Sequence, residues 1–327
     1  WGLLGDVLLR VPVVEAIGKR FPRAKITLVV DPAAVTVIEN HPVCHEVLPF
    51  SRNKRRITAY ILDFIRKILY LRNKKFDLSV NLYSGGSSPL VTRLIAARIR
   101  LGFDHTLALR KANNLLVKTP SFCGHWTRAL GRTLEPLGIA ANEVRRGSSF
   151  YCSDLACQFA HEFLAQMGQH YVAINLGARV PEKRWPVECY AKLATQIADS
   201  YGLHPLVFTN PGMEELVDEF ALKYTGSKPY KRVPLVSLDK VGALLDQVFA
   251  MITGDTSLMH LAFAVKCPTL VLFTHTRPEV VEPDDCQHVA CFIKDNNSLD
   301  ECGQAYGMAD IPVEYACQRF DLLYMQL

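Results

Sequence analysis

Short runs of apolar residues alternate with longer stretches of helical period along nearly the whole chain. Ile26 to Val30, Leu78 to Leu82, Val172 to Leu176, Leu206 to Thr209, Met251 to Thr253 and Thr269 to Phe273 are of the first kind. Such runs suit strands covered on both faces, as in a parallel sheet. Between them, Val7, Val11, Val14 and Ile17 recur at helical spacing up to Phe21-Pro22, and Tyr190, Leu193, Ala194 and Ile197 do the same further on. The alternation predicts an α/β chain of doubly wound type.

A change of pattern suggests two domains. Arg145-Arg146-Gly147-Ser148-Ser149 precede a helix carrying Phe159, Phe163 and Met167, which Gly168 stops, and a new strand starts at Tyr171. The boundary is expected there, with one sheet domain over 1–168 and another over 169–327. Gly5-Asp6 reads as a strand-to-helix turn with almost nothing ahead of it, so the first strand of the first sheet is expected to be missing. Trp1 to Asp6 show no basic leader before an apolar stretch and do not read as a secretory signal.

Composition narrows the class. A chain of 327 residues with 49% hydrophobic and 21% charged residues has ample material for two cores and excludes disorder. No uninterrupted apolar run reaches the ~18 residues that a bilayer-spanning helix needs, so a cytoplasmic protein is expected. The ten cysteines are scattered and read as reduced thiols. Their closest grouping, Cys286, Cys291 and Cys302 with Cys317 further on, contains no C-x-x-C pair and gives little support to zinc.

Charge adds a local feature. From Arg52 to Lys75 there are nine basic residues and one acid, Asp63, a local +8 against +5 for the whole chain, so the remainder is weakly acidic. Ile57, Tyr60, Ile61, Phe64, Ile65, Ile68 and Leu69 recur there at amphipathic spacing. This is either a core-packed helix with solvated ends or a docking surface for anionic lipid or a phosphorylated acceptor. Arg52, Lys54, Arg55 and Arg56, ahead of the stripe, are the residues expected to meet anionic groups of an acceptor or of a membrane surface. Nucleic acid is not expected, because the stripe lacks the interleaved aromatics of a recognised motif.

Three segments could carry chemistry. In Leu4-Gly5-Asp6-Val7-Leu8, with Pro12 after it, Asp6 falls at a helix start, either as a cap or as a functional carboxylate at the carboxyl end of a strand. Asn175-Leu176-Gly177-Ala178-Arg179-Val180-Pro181-Glu182-Lys183-Arg184-Trp185-Pro186 runs from a strand through two adjacent cations into a helix. It is either a phosphate-binding loop or an ordinary basic loop with Trp185 as a core plug. Thr253-Gly254-Asp255-Thr256-Ser257-Leu258-Met259-His260 offers helix amides, two hydroxyls and a histidine to an anion, or else a simple N-cap and a buried histidine. No D-x-D and no G-x-G-x-x-G occurs, which removes a common metal-chelating signature and leaves a dinucleotide oxidoreductase little support.

At these residues the chain resembles glycosyltransferase family 9, the bacterial heptosyltransferases of the lipopolysaccharide inner core. The resemblance runs through Leu4-Gly5-Asp6-Val7-Leu8 with Pro12, Phe21-Pro22-Arg23-Ala24-Lys25-Ile26, Phe76-Asp77-Leu78 and Leu101-Gly102-Phe103. It continues through Lys183-Arg184-Trp185-Pro186, Asp255-Thr256 with Met259-His260-Leu261-Ala262, and Phe273 with Thr276 and Pro278. It implies a GT-B architecture, two Rossmann-like domains facing across a cleft, with a final helix over about 311–327 returning toward the first. The implied activity is transfer of a heptose from ADP-heptose to an inner-core acceptor with inversion, without a metal or cofactor. The first domain would bind the anionic glycolipid acceptor and the second the nucleotide sugar, with peripheral contact at the cytoplasmic face of the inner membrane. Carried over by residue, Asp6 matches the general base, Lys183 the phosphate-binding lysine, Asp255, Thr256, Ser257 and His260 the donor loop, and Glu214 the acid that holds the nucleotide ribose. Ser257 and Thr274 stand where the family usually has glycine, and Ala178 and Arg179 where it often has hydroxyl-bearing residues. Three rivals remain: a transferase of the same fold using another nucleotide sugar or a protein acceptor, a non-catalytic nucleotide-sugar or glycan binder, and an epimerase on a similar scaffold.

Overall fold

The structure is a computed structural model that describes residues 4–50, 57–83, 85–119, 124–165, 170–274, 276–292 and 307–327. The chain divides into two compact units, 1–146 and 147–327. The second therefore begins ahead of the boundary expected at 168. The reason is local: the helix expected to close the first domain packs on a helix of the second. Ser153, just before it, donates from Oγ to Asp239 Oδ2 at 2.5 Å and from its amide to Oδ1 at 3.1 Å.

The first unit opens with α1 (Leu4–Leu8) and α2 (Val11–Arg20). The single helical period of Val7 to Ile17 is thus split at Leu9-Arg10. Pro12 lacks the amide that would continue the ladder and sits in the first turn of α2, where that loss is harmless. Strands β1 (Thr27–Val30) and β2 (Glu46–Pro49) pair in parallel. After α3 (Ile57–Asn73), β3 (Leu78–Asn81), β4 (Ile99–Phe103) and β5 (Leu115–Val117) form a second parallel sheet. Helices α4 (Ser88–Ile95), α5 (Leu107–Ala112) and α6 (Trp126–Gly131) complete the unit. The apolar positions of α3 were expected to share one face. Instead Phe64 and Ile68 turn inward, toward Phe50 and Val91, and Leu71 is buried, while Ile61, Ile65 and Leu69 are exposed.

The second unit begins with α7 (Asp154–Ala165) and is built on a six-stranded parallel sheet. In chain order it contains β6 (Tyr171–Asn175), α8 (Val187–Tyr201), β7 (His204–Phe208), α9 (Glu214–Lys223), β8 (Lys231–Val233) and α10 (Leu238–Gln247). There follow β9 (Ala250–Gly254), α11 (Ser257–Ala264), β10 (Thr269–Phe273), β11 (His288–Phe292) and α12 (Val313–Met325). The strand order β11-β10-β9-β6-β7-β8 is the dinucleotide-fold order 3-2-1-4-5-6 read from its far edge, and it reverses direction between β6 and β9. Val172, Ile174, Ile252, Leu270 and Leu272 form the sheet's share of a core that Tyr190, Leu193 and Ile197 of α8 and Phe320 and Leu323 of α12 cover. Met259 and Phe263 of α11 cover Val271 and Phe273 in a second cluster. Trp185 is buried edge-on against Tyr190 at 4.9 Å and donates from Nε1 to the Ile311 carbonyl at 3.1 Å, so it does serve as a core plug.

No helix among the described residues is long and apolar enough to cross a membrane. The eight cysteines with described thiols, Cys286, Cys291 and Cys317 among them, are free. Cys302 lies outside the described residues.

Candidate functional site

Open parallel sheets bind ligands at the carboxyl ends of their strands, where the winding reverses. In the second unit that point lies at the ends of β6 and β9, at Asn175 and Gly254. Asn175 is buried and joins the loops there: its Nδ2 donates to Thr253 Oγ1 at 3.0 Å and Thr256 Oγ1 at 3.1 Å, while its Oδ1 accepts from Asn210 Nδ2 at 2.9 Å. The loop after β6 thereby meets those after β7 and β9. Two glycines make the approach close. A Cβ on Gly177 would lie 2.3 Å from Asn210 Nδ2, and one on Gly254 would lie 3.2 Å from the Lys183 carbonyl oxygen.

Lys183 ends a 3-10 turn over Pro181–Lys183, and its Nζ lies 2.5 Å from Asp255 Oδ2. Thr276 donates from Oγ1 to the same oxygen at 2.6 Å. Burial alone would raise the Asp255 carboxyl, but the hydrogen bonds from Lys183 and Thr276 and the charges of Lys183 and His260 outweigh it and hold the group below the usual carboxylate range. Arg184, the adjacent cation, braces the loop instead, donating from Nε to the Ala178 carbonyl at 2.7 Å. Of the two basic residues, Lys183 is the one turned to the strand ends.

The simple N-cap reading of Asp255 and Thr256 does not hold. Thr256 occupies the N-cap position of α11 but makes no capping hydrogen bond, because its hydroxyl accepts from Asn175. The Asp255 carboxylate is turned to Lys183 and Thr276. The first amides of α11 retain the anion-binding polarity of a helix start. Ser257 and His260 are half-exposed while Met259 and Leu261 are buried, so His260 is not a core histidine. Glu214 opens α9 beyond the end of β7 and accepts from the Gly212 amide at 3.4 Å. Asn210, four residues earlier, belongs to the Asn175 network, whereas Glu214 is bonded back to Gly212.

In the first unit Asp6 is the third residue of α1, inside the helix and past the cap, with its side chain about half exposed. The helix already includes Leu4 and Gly5, so the turn expected at Gly5-Asp6 is not there. Arg10, one turn on, lies 3.7 Å from Asp6 Oδ1, donates to the Asp6 carbonyl, and reaches from Nε to the Leu82 carbonyl at 2.9 Å. Its guanidinium also lies 5.5 Å from the centre of the Tyr83 ring. Arg10 therefore ties the segment bearing Asp6 to the end of β3. Arg52, Lys54, Arg55 and Arg56 lie outside the described residues.

Sequence reasoning missed Arg10, Asn175, Asn210 and Thr276 as site residues. Asn175 had a signal: a lone amide at the end of an apolar strand needs buried partners.

A Rossmann-type sheet with a lysine–carboxylate pair and a helix start at its switch point is the framework of a nucleotide-handling enzyme. The profile of glycosyltransferase family 9 (heptosyltransferase) matches residues 65–304, and the chain belongs to that family. It is a glycosyltransferase, and Lys183, Glu214, Asp255, Thr256, Ser257 and His260 fall within the matched span while Asp6 lies ahead of it. Among curated relatives, lipopolysaccharide heptosyltransferase 3 of Escherichia coli is 26% identical over 83% of this chain and 81% of its own. Among solved structures, a family 9 glycosyl transferase from Veillonella parvula superposes with a TM-score of 0.86 at 22% identity, covering 100% of this chain and 95% of that one. Escherichia coli heptosyltransferase WaaC with ADP-2-deoxy-2-fluoro heptose superposes with a TM-score of 0.75 at 19% identity, covering 98% and 97%. The fold is thus GT-B, as expected.

Proposed function

We propose that the protein transfers a heptose from ADP-heptose to an anionic lipopolysaccharide inner-core acceptor, with inversion at the anomeric carbon. The observation that carries this reading is the Lys183–Asp255–Thr276 cluster at the switch point of a family 9 chain. In the reaction the acceptor oxygen forms a bond to the anomeric carbon, the bond from that carbon to the diphosphate oxygen breaks, ADP leaves, and the acceptor proton goes to Asp6. Lys183 and the first amides of α11 would stabilise the charge growing on the diphosphate, with Thr256, Ser257 and His260 lining its approach. Glu214 would hold the ribose. Asp6, held near Arg10, would act as general base, a contribution of about 100- to 10,000-fold.

No metal or cofactor has a role in this scheme, because the lysine and the helix amides supply the positive charge; a chelator should leave the rate unchanged. The same reading puts the protein in the cytoplasm, in peripheral contact with the inner membrane. Names of relatives such as lipopolysaccharide heptosyltransferase 3 support the acceptor class, and the ADP-sugar analogue on WaaC supports the donor. The test is incubation with ADP-heptose, with and without a lipid A–Kdo acceptor, followed by mass spectrometry. A heptose added only when both are present, and lost in Lys183→Ala, is expected. Release of ADP without acceptor modification would overturn the acceptor, and transfer from another nucleotide sugar alone would overturn the donor. Ser257 and Thr274, bulkier than glycine, favour that second donor reading if it is found.

A further inference from the structure

Helix α3 is apolar on two sides. Phe64 and Ile68 face the core, and Ile68 is 7% exposed. On the other side Ile61, Leu62, Ile65 and Leu69 are 48%, 69%, 49% and 54% exposed. Steps of three, four and seven residues put these four on one stripe along the helix. A stripe of four large aliphatic side chains in water is an unusual surface for a folded unit and marks a contact.

The border of the stripe identifies the contact. Arg66 lies at its edge, between Leu62 and Leu69, and Arg72 continues its line beyond Leu69; both are exposed. Arg72 donates to the Leu94 carbonyl at 3.3 Å, a bond that leaves its charge unneutralised. Lys75 follows the helix end and is exposed. The helix's one acid, Asp63, projects from the side away from the stripe and is held by Lys67 at 2.8 Å. An aliphatic stripe with a cationic border and no acid on it is the chemistry of a helix lying in the headgroup region of an anionic bilayer. A second copy pairing through this face would cover Arg66 and Arg72 with a stripe that carries no acid to pair them.

We propose that the outer face of α3 is an interfacial docking surface for anionic phospholipid, with Ile61, Leu62, Ile65 and Leu69 entering the headgroup boundary and Arg66 and Arg72 meeting phosphates. The inference rests on the membrane contact of the proposed function and gives that contact a place; it needs neither sugar donor nor glycolipid acceptor, so its test is separate from that of the transfer reaction.

Co-sedimentation of the full chain with vesicles lacking any glycolipid tests it. The protein is expected to pellet with phosphatidylethanolamine–phosphatidylglycerol vesicles and to stay in solution with phosphatidylcholine alone. Serine at Leu62, Ile65 and Leu69 together should lower partitioning by about tenfold or more, since binding follows the apolar area inserted. Glutamine at Arg66 and Arg72 should lower it by about fivefold at ~0.1 M salt and by much less at ~0.5 M. ADP affinity and the circular dichroism spectrum should not change in either variant. Should the triple variant fold poorly, Leu62→Gln alone gives the same direction with a smaller loss. Wild-type protein that ignores anionic vesicles, or a well-folded triple variant that pellets as the wild type does, overturns the proposal. A dimer in lipid-free buffer that the triple variant dissociates also overturns it, by assigning the face to a second copy.

Discussion

Lys183 and Asp255 neutralise each other at 2.5 Å, so on the proposed function a diphosphate approaching Lys183 would compete with a carboxylate as well as with water. The competition depends on pH in a defined sense. The folded Asp255 pKa is lowered, so its stabilising contribution is complete above the unfolded carboxylate value of ~3.9 and is lost as pH falls through the lower folded value. Asp255→Asn should lower stability by about 1–3 kcal/mol at neutral pH, because it leaves Lys183 without its partner. In urea unfolding the gap between wild type and variant should narrow below pH ~4. A gap of equal size at neutral and strongly acid pH would mean that the carboxylate charge is not what stabilises the loop. The other residue-scale test concerns Asp6. If Asp6 is the general base, as proposed, the isosteric amide cannot take the acceptor proton, so Asp6→Asn should cut turnover by about 100-fold or more while calorimetry shows unchanged ADP binding. Near-normal turnover would leave Asp6 with a structural role beside Arg10.

Three loops are joined through one amide, which makes the β6 loop sensitive to bulk. Gly177→Ala puts a Cβ 2.3 Å from Asn210 Nδ2, so the Asn210 side chain must move and its hydrogen bond to Asn175 should break. The expected result is a loss of about 1 kcal/mol in stability with a raised KM for the donor. An unchanged KM with lowered stability would make the network a brace with no bearing on donor binding. The same loops show what a sequence conveys and what it withholds. β6, β9 and β10 are buried on both faces and read as apolar runs. The short β8, Lys231-Arg232-Val233, at one edge of the sheet, and Glu46-Val47-Leu48-Pro49 of β2 are partly solvated and left no such run. Asp255, Thr256 and Lys183 were legible because a strand, a turn and a helix start are local patterns. The role of Asn175 was not, because its partners lie 35 to 81 residues away and only the folded sheet brings them together. Arg10 was hidden for the same reason, since its contact with the Leu82 carbonyl spans 72 residues.

At the scale of the whole molecule, the basicity is concentrated. The stretch Arg52 to Lys75 carries +8 while the chain as a whole carries +5, so the field an anionic acceptor meets comes mainly from one part of the first unit. Within that stretch Lys67 and Lys74 are engaged with Asp63 and Glu46, which leaves much of the attraction to the residues ahead of α3. Neutralising Arg52, Lys54, Arg55 and Arg56 together should therefore raise the KM for an anionic acceptor at low salt. The gap from wild type should close as salt rises, since the Debye length falls from ~10 Å at 0.1 M to ~3 Å at 1 M. ADP affinity should hold, because the donor site proposed at Lys183 and the start of α11 belongs to the second unit. This variant leaves the aliphatic stripe of α3 intact, so its effect on a water-soluble acceptor separates recognition of acceptor charge from attachment to lipid. A loss confined to membrane-bound acceptor would assign the four cations to the bilayer, and an equal loss of ADP affinity would move them to the donor. Unchanged acceptor kinetics at low ionic strength would leave them a solvated flank of the helix.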